Sequence, residues 1–141
     1  MLSSYVGMAG LGKDAALLPL SDPRAGVFAY DRKTKFEDVT DGHSTTIMVI
    51  ETNFENGPWG AGGFSSVRGI DLEGPAYLGA AGQFGSLHRT QDTFLFKVYP
   101  GCSNCAYVDG SARYIAKTID PGVFEAMATI AGGEKVELPI D

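Results

Sequence analysis

The sequence predicts an α+β domain built mainly from antiparallel strands and closed by a C-terminal helix, and three stretches predict it. Residues 45–52, Thr-Thr-Ile-Met-Val-Ile-Glu-Thr, form a β-branched, nearly continuous apolar run, the pattern of a strand buried on both faces. Residues 105–108 and 112–115 are strand-like and flank Asp109-Gly110, a pair suited to a two-residue hairpin. Asp120-Pro121 then reads as an N-cap and first helical position, with Val123, Phe124, Met127 and Ile130 at helical spacing up to Gly132-Gly133.

The elements follow in chain order. Residues 5–11 make a first strand, and residues 13–31, punctuated by Pro19, Asp22-Pro23 and Gly26, read as loop. One helical turn fits residues 36–39, ended by Asp41-Gly42. The run at 45–52 is the central strand, with Glu51 at its solvated end. Residues 53–85 hold nine of the 19 glycines and the single tryptophan. A long segment without regular structure is the place for a binding loop, and Trp59 and Arg68 are its candidate ligand residues. Against that, Trp59 suits the edge of the core, and Arg68, without a second basic residue nearby, suits a surface position or the bracing of a loop. Phe94, Phe96 and Val98 alternate with Leu95, Lys97 and Tyr99, which predicts a strand over 93–99. In the hairpin, Tyr107 is expected opposite Ala112 and Cys105 opposite Tyr114. A short strand at 135–140 completes the chain.

A chain of 141 residues with 44% hydrophobic and 11% aromatic content is one domain's worth and can bury a core of its own. The expectation is a single domain over 1–141, cut from a longer precursor, because the chain opens directly on a strand-like Ser-Ser-Tyr-Val-Gly. A net charge of −6 without any basic run argues against nucleic acid as a partner. No stretch reaches the roughly 20 apolar residues of a membrane span. Cys102-Ser-Asn-Cys105 could be a disulfide, a pair of free thiols, a redox pair or half a zinc site, but only His43 and His88 remain to complete a metal centre. Asp41, Glu51 and Asp109 could offer oxygen ligands to calcium, although Asp-Gly pairs at 41–42 and 109–110 also serve as plain turns. No Gly-X-Ser-X-Gly elbow, no phosphate loop and no Ser, Cys or Thr in a motif with His is present, so the sequence predicts a protein that is not an enzyme and has no cofactor, calcium apart.

Five ordered blocks then suggest a family: Ser-Tyr-Val-Gly-Met-Ala-Gly-Leu-Gly at 4–12, Asp-Pro-Arg-Ala-Gly-Val-Phe-Ala-Tyr-Asp-Arg-Lys-Thr at 22–34, Val-Thr-Asp-Gly-His-Ser-Thr-Thr-Ile-Met-Val-Ile-Glu at 39–51, Phe-Gly-Ser-Leu-His-Arg at 84–89, and the Asp-Gly hairpin with its helix at 108–115 and 120–134. Together they resemble the planctomycete family of pilin-like proteins, described by a prepilin-type N-terminus, a C-terminal His-X9-Asp-Gly motif and a domain of unknown function. The resemblance implies a type IV pilin or pseudopilin head domain lacking the N-terminal hydrophobic helix. It also implies a structural or surface-display role outside the cytoplasm, at the cell surface or in the periplasm, with membrane anchoring in the precursor and other pilin-like or envelope proteins as partners. The family's motif positions fall on Asp41, Gly42, Ser44 and Glu51, with Thr45 where Asn is usual, and on Asp109 and Gly110. His88 stands twenty residues before Asp109 rather than nine, and Tyr99 has the nine-residue spacing; an insertion carrying residues 94–98 and Cys102 accounts for the difference. Two further roles stay open: a ligand- or calcium-binding module using residues 53–85, and a Cys-X-X-Cys thiol–disulfide protein.

Overall fold

Residues 2–85 and 102–133 are described by the computed structural model of the chain. Five strands, β1 (Tyr5–Leu11), β2 (Ile47–Glu51), β3 (Val67–Ile70), β4 (Cys102–Tyr107) and β5 (Ala112–Ala116), form one sheet in the order β3-β1-β2-β4-β5. β2 is the middle strand, as the apolar run at 45–52 predicts. The pairs β1–β2, β2–β4 and β4–β5 are antiparallel, whereas β1–β3 is parallel. The sheet is therefore mixed, and the domain remains α+β. A parallel partner for β1 needs a long crossover, and residues 12–66 supply it, passing through β2 and one-turn helices at Ala15–Leu17, Phe36–Asp38, Trp59–Ala61 and Gly63–Ser65.

β3 lies inside the stretch expected to be irregular. Gly69 explains its position: a Cβ there would lie 2.5 Å from the Ala15 Cβ and 2.5 Å from the Gly12 carbonyl oxygen. Only glycine lets the chain after β1 cross so close to this strand. Period-two alternation sends Val6 and Met8 into the main core with Ile47, Ile50, Ile70, Phe84, Cys105, Tyr107 and Ile115, while Ala9 packs on the other face with Ala15 and Ala16.

The one α-helix among the described residues, α1 (Pro121–Ala126), starts as expected: the Asp120 carboxylate accepts from the Val123 N–H at 3.1 Å, with Pro121 at the first turn. It stops well before Gly132-Gly133. Beyond Ala126 the apolar spacing continues through Met127 and Ile130, but their carbonyls accept from the Ile47 and Thr40 N–H groups, so tertiary bonds replace the helical ladder. Phe124 is fully buried, with the rings of Tyr77 and Phe84 5.9 and 6.0 Å away.

The hairpin differs in register by one residue. Cys105 pairs with Arg113 and Ala106 with Ala112, not Cys105 with Tyr114 and Tyr107 with Ala112. The Tyr107 N–H donates to the Ser111 carbonyl and the Gly110 N–H to the Tyr107 carbonyl, closing a three-residue loop over 108–110 with Gly110 at φ 83°. This is a tight turn followed by one left-handed residue, the next commonest hairpin after the two-residue form. The Asp109 carboxylate selects it by accepting from the Ser111 N–H at 2.8 Å and its hydroxyl at 2.6 Å. The slip puts Ser103, Cys105, Tyr107 and Ile115 on the core side. The strands expected at 93–99 and 135–140 lie outside the described residues.

Candidate functional site

The motif positions gather in part. At the start of β2, the loop carrying Asp41 and Gly42 lies against the Asp109-Gly110 turn: the Asp109 N–H donates to the His43 carbonyl at 3.0 Å, and the Val108 N–H to the Thr46 carbonyl at 3.1 Å. The Asp41 carboxylate accepts from the Gly132 N–H at 2.7 Å and the Gly133 N–H at 3.1 Å, so it ties the chain after α1 to the loop before β2. Gly42, at φ 106°, presents its carbonyl to the Thr45 and Thr46 hydroxyls, and Ser44 is exposed. Asp109 is acidified below the usual carboxylate range, first by the Ser111 hydroxyl. His88 lies outside the described residues.

Glu51 is not solvated. It is buried at the far end of β2, where its carboxylate accepts from the Asn104 side-chain amide at 2.8 Å and the Asn104 N–H at 3.2 Å. Glu51 is thus kept apart from Asp41 and Asp109, the other expected calcium ligands, about 13 Å along β2 from the Asp41 loop at the usual strand rise. Among the described residues no three His, Cys, Asp or Glu side chains are grouped to hold a metal ion. The cysteines are free and share one strand three positions apart, which places Cys102 on the outer side and Cys105 in the core. That spacing spans about 10 Å, beyond the reach of a disulfide. Burial pushes both thiols up, Cys105 further because it is the more deeply buried, with the negative charge of Glu51 adding to the effect. Neither is held as the thiolate that exchange chemistry uses.

Residues 53–85 contain the arrangement that the sequence left least visible. Arg68, on β3 opposite Met8, is 2% exposed. Its Nη2 donates to the Thr52 hydroxyl at 2.6 Å and the Phe54 carbonyl at 2.7 Å. The rings of Phe64, Phe54 and Phe84 surround the guanidinium at 5.0, 5.6 and 5.7 Å, within cation–π range. It does brace a loop, but from inside, and among the described residues no carboxylate pairs with it. Nε and Nη1, which carry more than half of the guanidinium's N–H donors, have no hydrogen-bond partner among the described residues. Burial lowers its pKa, and the charge of Glu55 partly offsets that.

A cavity of about 370 Å³ opens on this group, lined by Lys13, Phe54, Glu55, Phe64, Asp71 and Gln83 among others. Its floor is fixed: the Gln83 amide accepts from the Asp71 N–H at 2.7 Å and donates to the Asp71 and Pro75 carbonyls at 2.8 and 2.9 Å. Lys13 pairs with Asp71 at 3.1 Å on the rim. Trp59, the other candidate of this segment, is 62% exposed and does not cap the core. The surface position expected for Arg68 is corrected by its burial, for which Phe54, Phe64 and Phe84 in one glycine-rich stretch were the available sign. Chemically the site can hold an acceptor.

Against known proteins, a family model described as a protein of unknown function, DUF1559, matches residues 19–122. No curated protein and no solved structure matches.

Proposed function

This chain belongs to the DUF1559 family of proteins of unknown function, and we propose that it is a non-enzymatic head domain that serves structure or display outside the cytoplasm. In this reading it resembles a pilin or pseudopilin head, anchored in its precursor by a hydrophobic N-terminal helix and associating with other pilin-like or envelope proteins. One observation carries the proposal: the carboxylates at the motif positions are spent on their own fold. Asp41 holds the Gly132 and Gly133 N–H groups, Asp109 holds Ser111, and Glu51 holds Asn104. Groups committed to backbone donors fix loops in place and are poor acids or bases.

The test is protease shaving and impermeant biotin labelling of intact cells expressing the full-length precursor. Labelling of this domain on whole cells, or after selective opening of the outer envelope, is the expected result. Labelling only after complete lysis would place it inside and end the proposal. A second reading, a ligand-binding module, is favoured by a separate observation, the unpartnered buried Arg68.

A further inference from the structure

The Arg68 cavity combines features that a purely structural arginine does not need. A guanidinium removed from water without a carboxylate costs several kcal/mol unless other groups replace its hydration. Here three acceptors, the Thr52 hydroxyl and the Phe54 and Gln83 carbonyls, and three aromatic faces do so on one side, and among the described residues nothing bonds Nε and Nη1. The adjoining cavity is large enough for a small organic molecule. Its wall supplies apolar surface from Phe54, Phe64 and Pro75.

We propose that this cavity binds a ligand carrying a carboxylate on an apolar body, the carboxylate meeting the Arg68 guanidinium and the body lying against Phe54, Phe64 and Pro75. Charge assistance makes a carboxylate the preferred acceptor, and aromatic walls favour an apolar body over a hydrated inorganic anion. Phe64 is the covering side chain: its ring lies 5.0 Å over the guanidinium and is 42% exposed. It belongs to the one-turn helix Gly63–Ser65, preceded by Gly62 at φ 65°, and binding requires this ring to turn aside. Glu55, in the same wall at φ 47°, is the competing carboxylate, attracting Arg68 without forming an ion pair. A free metabolite and a peptide C-terminus offer the same chemistry. This site goes beyond the display reading above, which requires no ligand, and its failure leaves that reading standing.

The experiment is calorimetric and NMR titration of the whole chain at fixed ionic strength with benzoate, its neutral isostere benzamide, sulfate, and a short peptide ending in Phe with a free or amidated terminus. Saturable binding of benzoate or the free-terminus peptide is expected, at least about ten-fold tighter than benzamide, the amidated peptide or sulfate. The tighter of the two carboxylates identifies the source. Arg68→Met should abolish the binding, and Glu55→Gln should tighten it a few-fold by removing the competitor. If Arg68→Met does not fold, Glu55→Gln decides alone. No saturable binding, equal binding of benzoate and benzamide, sulfate binding as tightly as benzoate, or an unchanged affinity in Glu55→Gln would each overturn the proposal.

Discussion

At the start of β2, Asp41 sits among donors that match it, with its two oxygens on the Gly132 and Gly133 N–H groups. Past the end of the same strand, Arg68 sits among rings and three acceptors, with Nε and Nη1 unanswered among the described residues. The contrast separates two uses of polar groups in a fold. A satisfied network specifies one arrangement of chain and has nothing left to offer a second molecule. An unsatisfied group inside a native fold calls for a partner, because leaving it so costs its full desolvation. The Asp41 end therefore reads as framework and the Arg68 end as a place for something else to bind.

The largest test of that contrast removes the framework. Asp41→Ala strands two backbone donors and frees the chain after α1, and each charge-assisted bond contributes of order 1.5–3 kcal/mol when intact. With the site only half buried, the expected loss is about 2–3 kcal/mol in urea unfolding. A loss below about 0.5 kcal/mol would mean that these bonds are absent in solution.

A pH experiment probes the same end of the sheet from its core. Burial raises the Tyr107 phenol to about 12, and the hydrogen bond to Glu125 at 2.6 Å raises that of Tyr77 to about 12. In the unfolded chain both titrate near 10. The folded protein thus binds more protons between those values, so this contribution is complete below pH 10 and is lost as pH rises towards 12. For the buried Tyr107 the fall is about 2 kcal/mol, and Tyr107→Phe should remove its share. Stability that stays level from pH 10 to 12 in the wild-type protein would contradict the burial of that hydroxyl.

At the other end the expected effect is smaller, and that is the point of comparing them. Arg68→Met breaks the bonds to Thr52 and Phe54 but relieves an unpaired charge and fills an aromatic enclosure with a flexible apolar side chain. The net change should lie within about 1 kcal/mol of the wild type. A loss above about 3 kcal/mol would make Arg68 as much a framework residue as Asp41.

Local physics made one of these ends readable and hid the other. The strand β1, the middle strand, the helical turn at Phe36–Asp38 and the Asp120-Pro121 start of α1 all follow from patterns that neighbouring residues carry themselves. The hairpin was visible, but its register was not. A side-chain bond from Asp109 to Ser111 decided between two turns that differ by one residue. β3 was invisible because Val-Arg-Gly-Ile has little strand character of its own; it exists through its parallel pairing with β1 and the close crossing at Gly69. Arg68 was hidden with it, since arginine is ordinarily read as exposed. The position of Glu51 failed for the same reason: Asn104, the residue that pays for its burial, lies 53 positions away.

The smallest expected effect belongs to Trp59, which stands in the same glycine-rich segment as Arg68 and looked equally promising by residue type. Its ring is 62% exposed on the one-turn helix Trp59–Ala61, and what the turn needs from this residue is its backbone: the Trp59 carbonyl accepts from the Gly62 N–H at 3.3 Å and the Ser66 hydroxyl at 3.2 Å. Alanine keeps that carbonyl. Trp59→Ala should therefore leave stability within about 0.5 kcal/mol and leave benzoate affinity unchanged, while the wild-type indole emission shows a water-exposed ring that added benzoate does not shift. A stability loss above about 1 kcal/mol would show the indole packing against the domain in solution. The segment would then have two buried anchors instead of one, and the contrast between a framework end and a binding end would lose its sharpest edge.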